Sequence, residues 1–317
     1  ARIGVKSTLE ETRTQRLLGI AKRAGVLPVP LRYYAAHTGR WGGSDKLNMQ
    51  NLPSRGSNTI KQSIVAPDGY VLIDADSSQI EARTLAWLSG QTDLVDAFAN
   101  DEDVYKIMAS QIYNKPEKEI TKNERFVGKS VILGSGYGMG WKKFQAQLAG
   151  FGVDIDGPEA TNIIAIYRRT YPTIPALWKE AQRCLDALIR KQSCALGKHS
   201  KAIYLGENGF QLPNGMTLNY PDLQVDQEGQ FTYAARNSRT KIYGGKVIEN
   251  VCQALARCII SWQMVQIAKR YKVALTVHDS LVCVIREQES EQAQEFIENV
   301  MRTSPKWAAG LPLDCES

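Results

Sequence analysis

Apolar and polar positions change period several times along the chain, and each change predicts an element. Residues 9–24 carry a basic, helix-spaced pattern closed by Gly25 and Pro28. An aromatic and basic segment, Leu31 to Trp41, predicts a strand leading into Gly42-Gly43-Ser44. After the turn Pro67-Asp68-Gly69, the run Tyr70-Val71-Leu72-Ile73 predicts a buried strand. Strand alternation then puts Asp74 and Asp76 on one face. From Gln79 the period becomes helical: Ile80, Thr84, Trp87 and Leu88 recur, with Glu81 and Arg83 outside that stripe. Residues 92–118 continue as helix through Leu94, Phe98, Val104, Ile107, Met108 and Ile112. Thr121 and Glu124 have capping-box spacing. The helix they open carries Arg125, Lys129, Leu133 and Tyr137 at successive i+4 steps on one broad face. Phe126, Val127, Val131 and Ile132 make its other side apolar, so it must be anchored in protein.

Residues 141–193 are helix-rich, with Trp178, Leu185 and Ile189 as expected core. Strands are predicted over 202–243, including a hairpin turn at Asn214-Gly215. Glu249 opens a long helix to Arg270. Tyr271 to Ile285 reads as strand, tight turn, strand, with His278-Asp279-Ser280 at the turn, and an amphipathic helix runs from Glu287 to near Arg302.

Composition narrows the class. With 317 residues there is room for one large domain or several smaller ones. A net charge of +6 suits a polyanionic partner. The six cysteines form no C-x-x-C pair, which predicts reduced thiols and a cytoplasmic setting. Three histidines make a structural zinc site a poor expectation. No signal peptide or bilayer-length apolar run is visible, and the first residue is Ala, so more protein is expected to precede it.

Several patterns could carry chemistry. A strand with an acidic tip running into a helix is a way to hold metal-binding carboxylates, and equally a helix start capped by Asp76 or Ser77. Arg125 and Lys129 suit a triphosphate, as a fork and a point charge, or a solvated face. Arg and Lys near Tyr33 and Tyr34 suit nucleic acid or core packing. Arg236, Arg239, Lys241 and Lys246 suit a phosphate backbone or solvent. The glycines at 134, 136, 138 and 140 follow a helix and lack the spacing of a dinucleotide fingerprint.

Four blocks resemble the motifs of family A DNA polymerases, and of their bacteriophage members most. Asp76-Ser77-Ser78-Gln79-Ile80-Glu81-Ala82-Arg83 is similar to motif A, D-Y-S-Q-I-E-L-R, with Ser77 and Ala82 departing. Arg125-x-x-x-Lys129-x-x-x-Leu133-Gly134-x-x-Tyr137-Gly138 resembles motif B, with Leu133 in place of Phe or Tyr. His278-Asp279-Ser280 resembles motif C, H-D-E, with Ser280 in place of Glu. Thr38-Gly39-Arg40 and Asn48-Met49-Gln50-Asn51-Leu52-Pro53 resemble the T-G-R and N-L-Q-N-I-P segments, with a spacer difference that leaves Lys46 and Leu47 unassigned.

The resemblance implies an α+β right-hand fold: an antiparallel palm sheet, a helical fingers insertion and a partial thumb. The implied division is thumb remnant 1–36, palm 37–90, fingers 91–245 and palm 246–317, without the family's exonuclease domain. It implies DNA-directed DNA synthesis from dNTPs on primer-template DNA, in phage replication. Two Mg²⁺ ions, with Mn²⁺ able to substitute, would be held by Asp76, Asp279 and the Ser77 carbonyl. Lys129 joins these aspartates as a catalytic residue. Arg125, Lys129, Leu133, Tyr137, Glu81 and Gln79 would bind the nucleotide, with Glu81 blocking a ribose 2′-hydroxyl. Arg40, Gln50, Asn51, Gln253 and His278 would contact DNA; Gln253 is preferred over Asn250 because the Asn-to-Gln spacing is one residue short. Asp74 has no counterpart and reads as a hydrogen-bonded structural acid. An N-terminal thumb or exonuclease portion outside this chain is an expected partner. A related single-subunit RNA polymerase or reverse transcriptase and a non-catalytic DNA-binding remnant are the alternatives; Glu81 and its Gln-Ile-Glu context argue against the first, and Asp76, Asp279, Arg125 and Lys129 against the second.

Overall fold

Strand Tyr70–Ser77 forms where the apolar run predicts it, with one difference in burial. Ile73, Ala75 and Ser77 point inward, whereas Tyr70, Leu72, Asp74 and Asp76 lie on an open face. The acids therefore avoid the desolvation that a strand buried on both faces would impose. This computed structural model describes residues 2–45, 48–52, 59–199, 202–235 and 238–317; Lys46, Leu47, Pro53 and Arg236 lie outside the described residues.

The chain forms two compact units. The first comprises Ala1–Asp76, Gln263–Val300 and Glu316–Ser317. It contains a long N-terminal helix, Arg2–Ala24, and a four-stranded sheet. The strand order is Lys272–Val277, Ser280–Arg286, Tyr70–Ser77 and Cys315–Glu316. Strand Tyr70–Ser77 pairs antiparallel with Ser280–Arg286 in unbroken register from Arg286 opposite Tyr70 to Ser280 opposite Asp76. The outer ladder slips once, between Val273 and Leu275. Ile73, Ala75, Leu281, Cys283 and Ile285 are buried on the inward face. The Tyr271 and Phe296 rings meet edge to face at 5.7 Å, tying helix Ser290–Met301 to the start of the outer strand.

The second unit comprises Ser77–Trp262 and Met301–Cys315. It is mainly helical, with short antiparallel sheets of four and three strands between Cys194 and Lys241. Strands Gly209–Gln211 and Thr217–Asn219 pair across the loop containing Asn214-Gly215, with Gly215 at φ +81°. Mixed helices and antiparallel sheets make the fold α+β.

Three expectations are corrected here. The predicted helix 92–118 is broken: Thr92–Ala99 ends, Asp101 takes φ +57°, and Asp103 caps a new helix, Val104–Tyr113. The polar run Asn100-Asp101-Glu102-Asp103 competes for its own backbone hydrogen bonds, which favours a break. The last long helix begins at Gly244 rather than Glu249, because the Gln182 side chain accepts the Gly244 amide at 2.7 Å. Ile189 is exposed rather than core. Among the described residues no helix is long and apolar enough to cross a membrane.

Candidate active site

The first unit gathers acids at one end of its sheet. Because Asp76 lies opposite Ser280, the ladder brings Asp279 next to Asp76's partner residue. Two-residue turns favour positive φ, and His278 supplies it at +56°. Partial burial raises the Asp76 carboxyl to about 6, reinforced by the charges of Asp279, Asp74 and Glu316. Among the described residues neither the Asp76 nor the Asp279 carboxylate has a hydrogen-bond partner within the protein. Asp74 differs. Ser280 Oγ donates to it at 2.8 Å and Lys61 Nζ lies 3.4 Å away. Asp74 is thus hydrogen-bonded, as the sequence reading expects, and its partner is the serine that follows Asp279.

Other expected site residues in this unit vary in exposure. Gln50 is buried, and its side-chain amide donates to the Thr276 carbonyl at 3.0 Å, fixing its segment to the outer strand. Asn51 and His278 are exposed, and Arg40 is half-buried.

In the second unit, Ser77 is buried, and its hydroxyl has no hydrogen-bond partner among the described residues. Helix Ile80–Ser89 starts at Gln79, which adopts φ +47° without a side-chain cap. The alternative reading of Asp76 or Ser77 as a helix cap is therefore corrected. Arg83, expected off the buried stripe, is only 3% exposed. It donates to the carbonyls of Ser78 and Phe98, at 2.9 and 3.1 Å, and lies 3.7 Å from Asp314. Those partners offset the cost of burying a guanidinium.

Helix Lys122–Ser135 has the predicted capping box, with Thr121 and Glu124 satisfying each other's amides. Val127, Val131 and Ile132 are buried, while Arg125 and Lys129 are half-buried and Leu133 is exposed. Tyr137 does not continue the stripe, because the helix stops at Ser135. It lies beyond the helix and donates its phenol to the Glu81 carbonyl at 3.5 Å. Asn250 is turned inward and donates to the Tyr220 hydroxyl at 3.2 Å, whereas Gln253, one turn along the same helix, is half-buried.

Two residues missed in the sequence meet Arg125. Asp103 accepts Arg125 Nε at 2.6 Å, and the Tyr105 ring lies 5.2 Å from the guanidinium and 5.6 Å from Lys129 Nζ. Partial burial raises the Asp103 carboxyl, but Arg125 and two backbone amides outweigh it and hold the group below its usual value. An Asp after a polar run and before Val104 and Tyr105 was the available signal. Gly128 permits the approach: a Cβ there would sit 2.2 Å from the Tyr105 carbonyl oxygen.

The acidic end fits divalent magnesium. Its side-chain donors are hard carboxylate oxygens whose negative charges oppose one another. Among the described residues no group of three or more His, Cys, Asp or Glu side chains forms a ready metal cage. Magnesium is commonly held by one or two carboxylates, with water and substrate phosphate completing its shell.

The family model described as DNA polymerase family A matches residues 6–317. The chain belongs to that family. This family A chain is 26% identical over 330 aligned residues to a DNA polymerase of Bacillus phage SP02, covering 90% of the chain and 50% of the phage protein. It is 29% identical to DNA polymerase I of Pseudomonas aeruginosa, covering 93% of the chain and 30% of that protein. It thus spans half or less of these two relatives. The same fold occurs in the POL domain of Pol1 from M. smegmatis, in complex with DNA primer-template and dNTP. That match has a TM-score of 0.74 and 22% identity, covering 98% of this chain and 50% of the other.

Proposed function

We propose that this chain performs template-directed DNA synthesis, transferring a nucleotidyl group from dNTP to a primer 3′-hydroxyl. The observation that carries the reading is the strand register joining Asp76 to the Asp279 turn, within a family A chain. Asp76, Asp279 and the Ser77 carbonyl would hold two Mg²⁺ ions. Magnesium bound there supplies activation of the hydroxyl and neutralises charge on the leaving pyrophosphate.

The chain's own residues do the rest. Arg125 grips triphosphate oxygens, and Lys129 adds a charge and donates a proton from Nζ to the leaving group. Glu81 occupies the space a ribose 2′-hydroxyl needs, and Gln79, Leu133 and Tyr137 complete the nucleotide site. Arg40, Asn51, Gln253 and His278 serve the primer-template, with Gln50 holding its segment in place. Phage replication is the setting that the phage relative supports, and a thumb or exonuclease portion outside this chain is the expected partner.

Primer extension with Mg²⁺ tests the reading. Asp76→Ala and Asp279→Ala should each abolish extension while duplex binding persists. Extension at a tenth of the parent rate in either variant would overturn the two-ion assignment.

A further inference from the structure

The break at residues 100–103 places an acid where the fingers-type helix needs an anchor. Asp103 is held twice: Oδ1 accepts the amides of Tyr105 and Lys106, each at 3.2 Å, while Oδ2 accepts Arg125 Nε at 2.6 Å. A carboxylate pinned by two backbone amides is a rigid reference point. It takes only the inner nitrogen of the guanidinium. The two terminal nitrogens make no hydrogen bond or ion pair among the described residues, and the side chain is 41% exposed. The Tyr105 ring lies near both cations, within the range of cation–π attraction. Gly128, between Arg125 and Lys129, lets the two helices approach closely enough for this arrangement.

We propose that Asp103 and Tyr105 form a preset cradle that aims the Arg125 fork and the Lys129 ammonium at the nucleotide triphosphate, making Asp103 a positioning residue for nucleotide binding. This rests on the reading of Arg125 and Lys129 as triphosphate ligands. The cradle reduces the side-chain freedom lost on binding, so its contribution falls on nucleotide affinity rather than on the chemical step.

Asp103→Asn isolates the ion pair, because asparagine still caps a helix. Single-nucleotide extension with Mg²⁺ should show KM for dNTP raised roughly five- to tenfold, with most of the loss in KM and little in kcat. Equilibrium dNTP affinity, measured on a complex with a dideoxy-terminated primer, should fall by a similar factor. Arg125→Ala should raise KM further, and adding Asp103→Asn to it should change KM by less than about twofold, since the two act through one contact. Tyr105→Leu is the independent arm and should raise KM in the same sense. The cradle is overturned if Asp103→Asn leaves KM and affinity unchanged, if it lowers KM, or if its effect multiplies with that of Arg125→Ala. Failure of the underlying reading looks different: extension by the parent enzyme would then be absent, or Arg125→Ala would leave KM untouched.

Discussion

Asp76→Asn should make the metal-free protein more stable, although it should destroy extension. The Asp76 carboxyl is raised from 3.8 to about 6, by partial burial first and then by its acidic neighbours. That is about 2 units, and at about 1.4 kcal/mol per unit the ceiling is about 3 kcal/mol. Asp76 lies on the open face, so solvent screening reduces this to about 1 kcal/mol. The sign follows from linkage. Between pH 3.8 and about 6 the folded protein holds the proton more tightly than the unfolded chain, so stability falls as pH rises through that window. A neutral asparagine escapes the loss. Thermal unfolding in a chelator should give Asp76→Asn a melting temperature about 2–4 °C above the parent at pH 8, and no advantage near pH 3.5. Adding Mg²⁺ at pH 8 should raise the parent and not the variant. A variant less stable than the parent at pH 8 without metal, or one with equal increments at both pH values, would refute the reasoning.

Lys129→Ala should raise KM for dNTP roughly tenfold and also slow chemistry, which single-turnover kinetics would separate. Glu81→Ala should increase ribonucleotide incorporation on the order of a hundredfold, read by competing rNTP against dNTP. Leu133 has no donor to replace a missing 3′-hydroxyl, so the parent should discriminate against ddNTPs and Leu133→Tyr should relax that; efficient termination by the parent would remove Leu133 from the sugar. Arg83→Ala should cost about 1–3 kcal/mol in a denaturant titration, because it removes a buried donor from the carbonyls of Ser78 and Phe98, while Asp314 keeps Arg302 at 3.2 Å.

Local rules made much of this molecule legible. Alternation put Asp74 and Asp76 on one face, the Thr121/Glu124 spacing announced a helix start, and the turn at His278 and Asp279 followed from two flanking strands. What escaped depends on partners far along the chain. Ser280 and Asp74 are 206 positions apart, so no local pattern could reveal that serine at the motif C position serves the unassigned acid. The burial of Arg83, which lies outside the apolar stripe, was not legible because its partners Phe98 and Asp314 lie on other segments. Asp103 was hidden inside an apparently continuous helical pattern, since apolar periodicity persisted across the break that the polar run imposed.

The unbroken ladder between Tyr70–Asp76 and Ser280–Arg286 has a consequence for how errors are handled. A slip of one residue would turn Asp74 and Asp76 into the protein interior and expel Ile73 and Ala75 into water. A misaligned sheet would therefore be unstable and inactive together, leaving no well-folded product with its acids out of place. The irregular step is confined to the outer ladder, between Val273 and Leu275, where it leaves the seating of Asp76 untouched. Quality control that recognises only poor folding would thus also screen for correct placement of the acids.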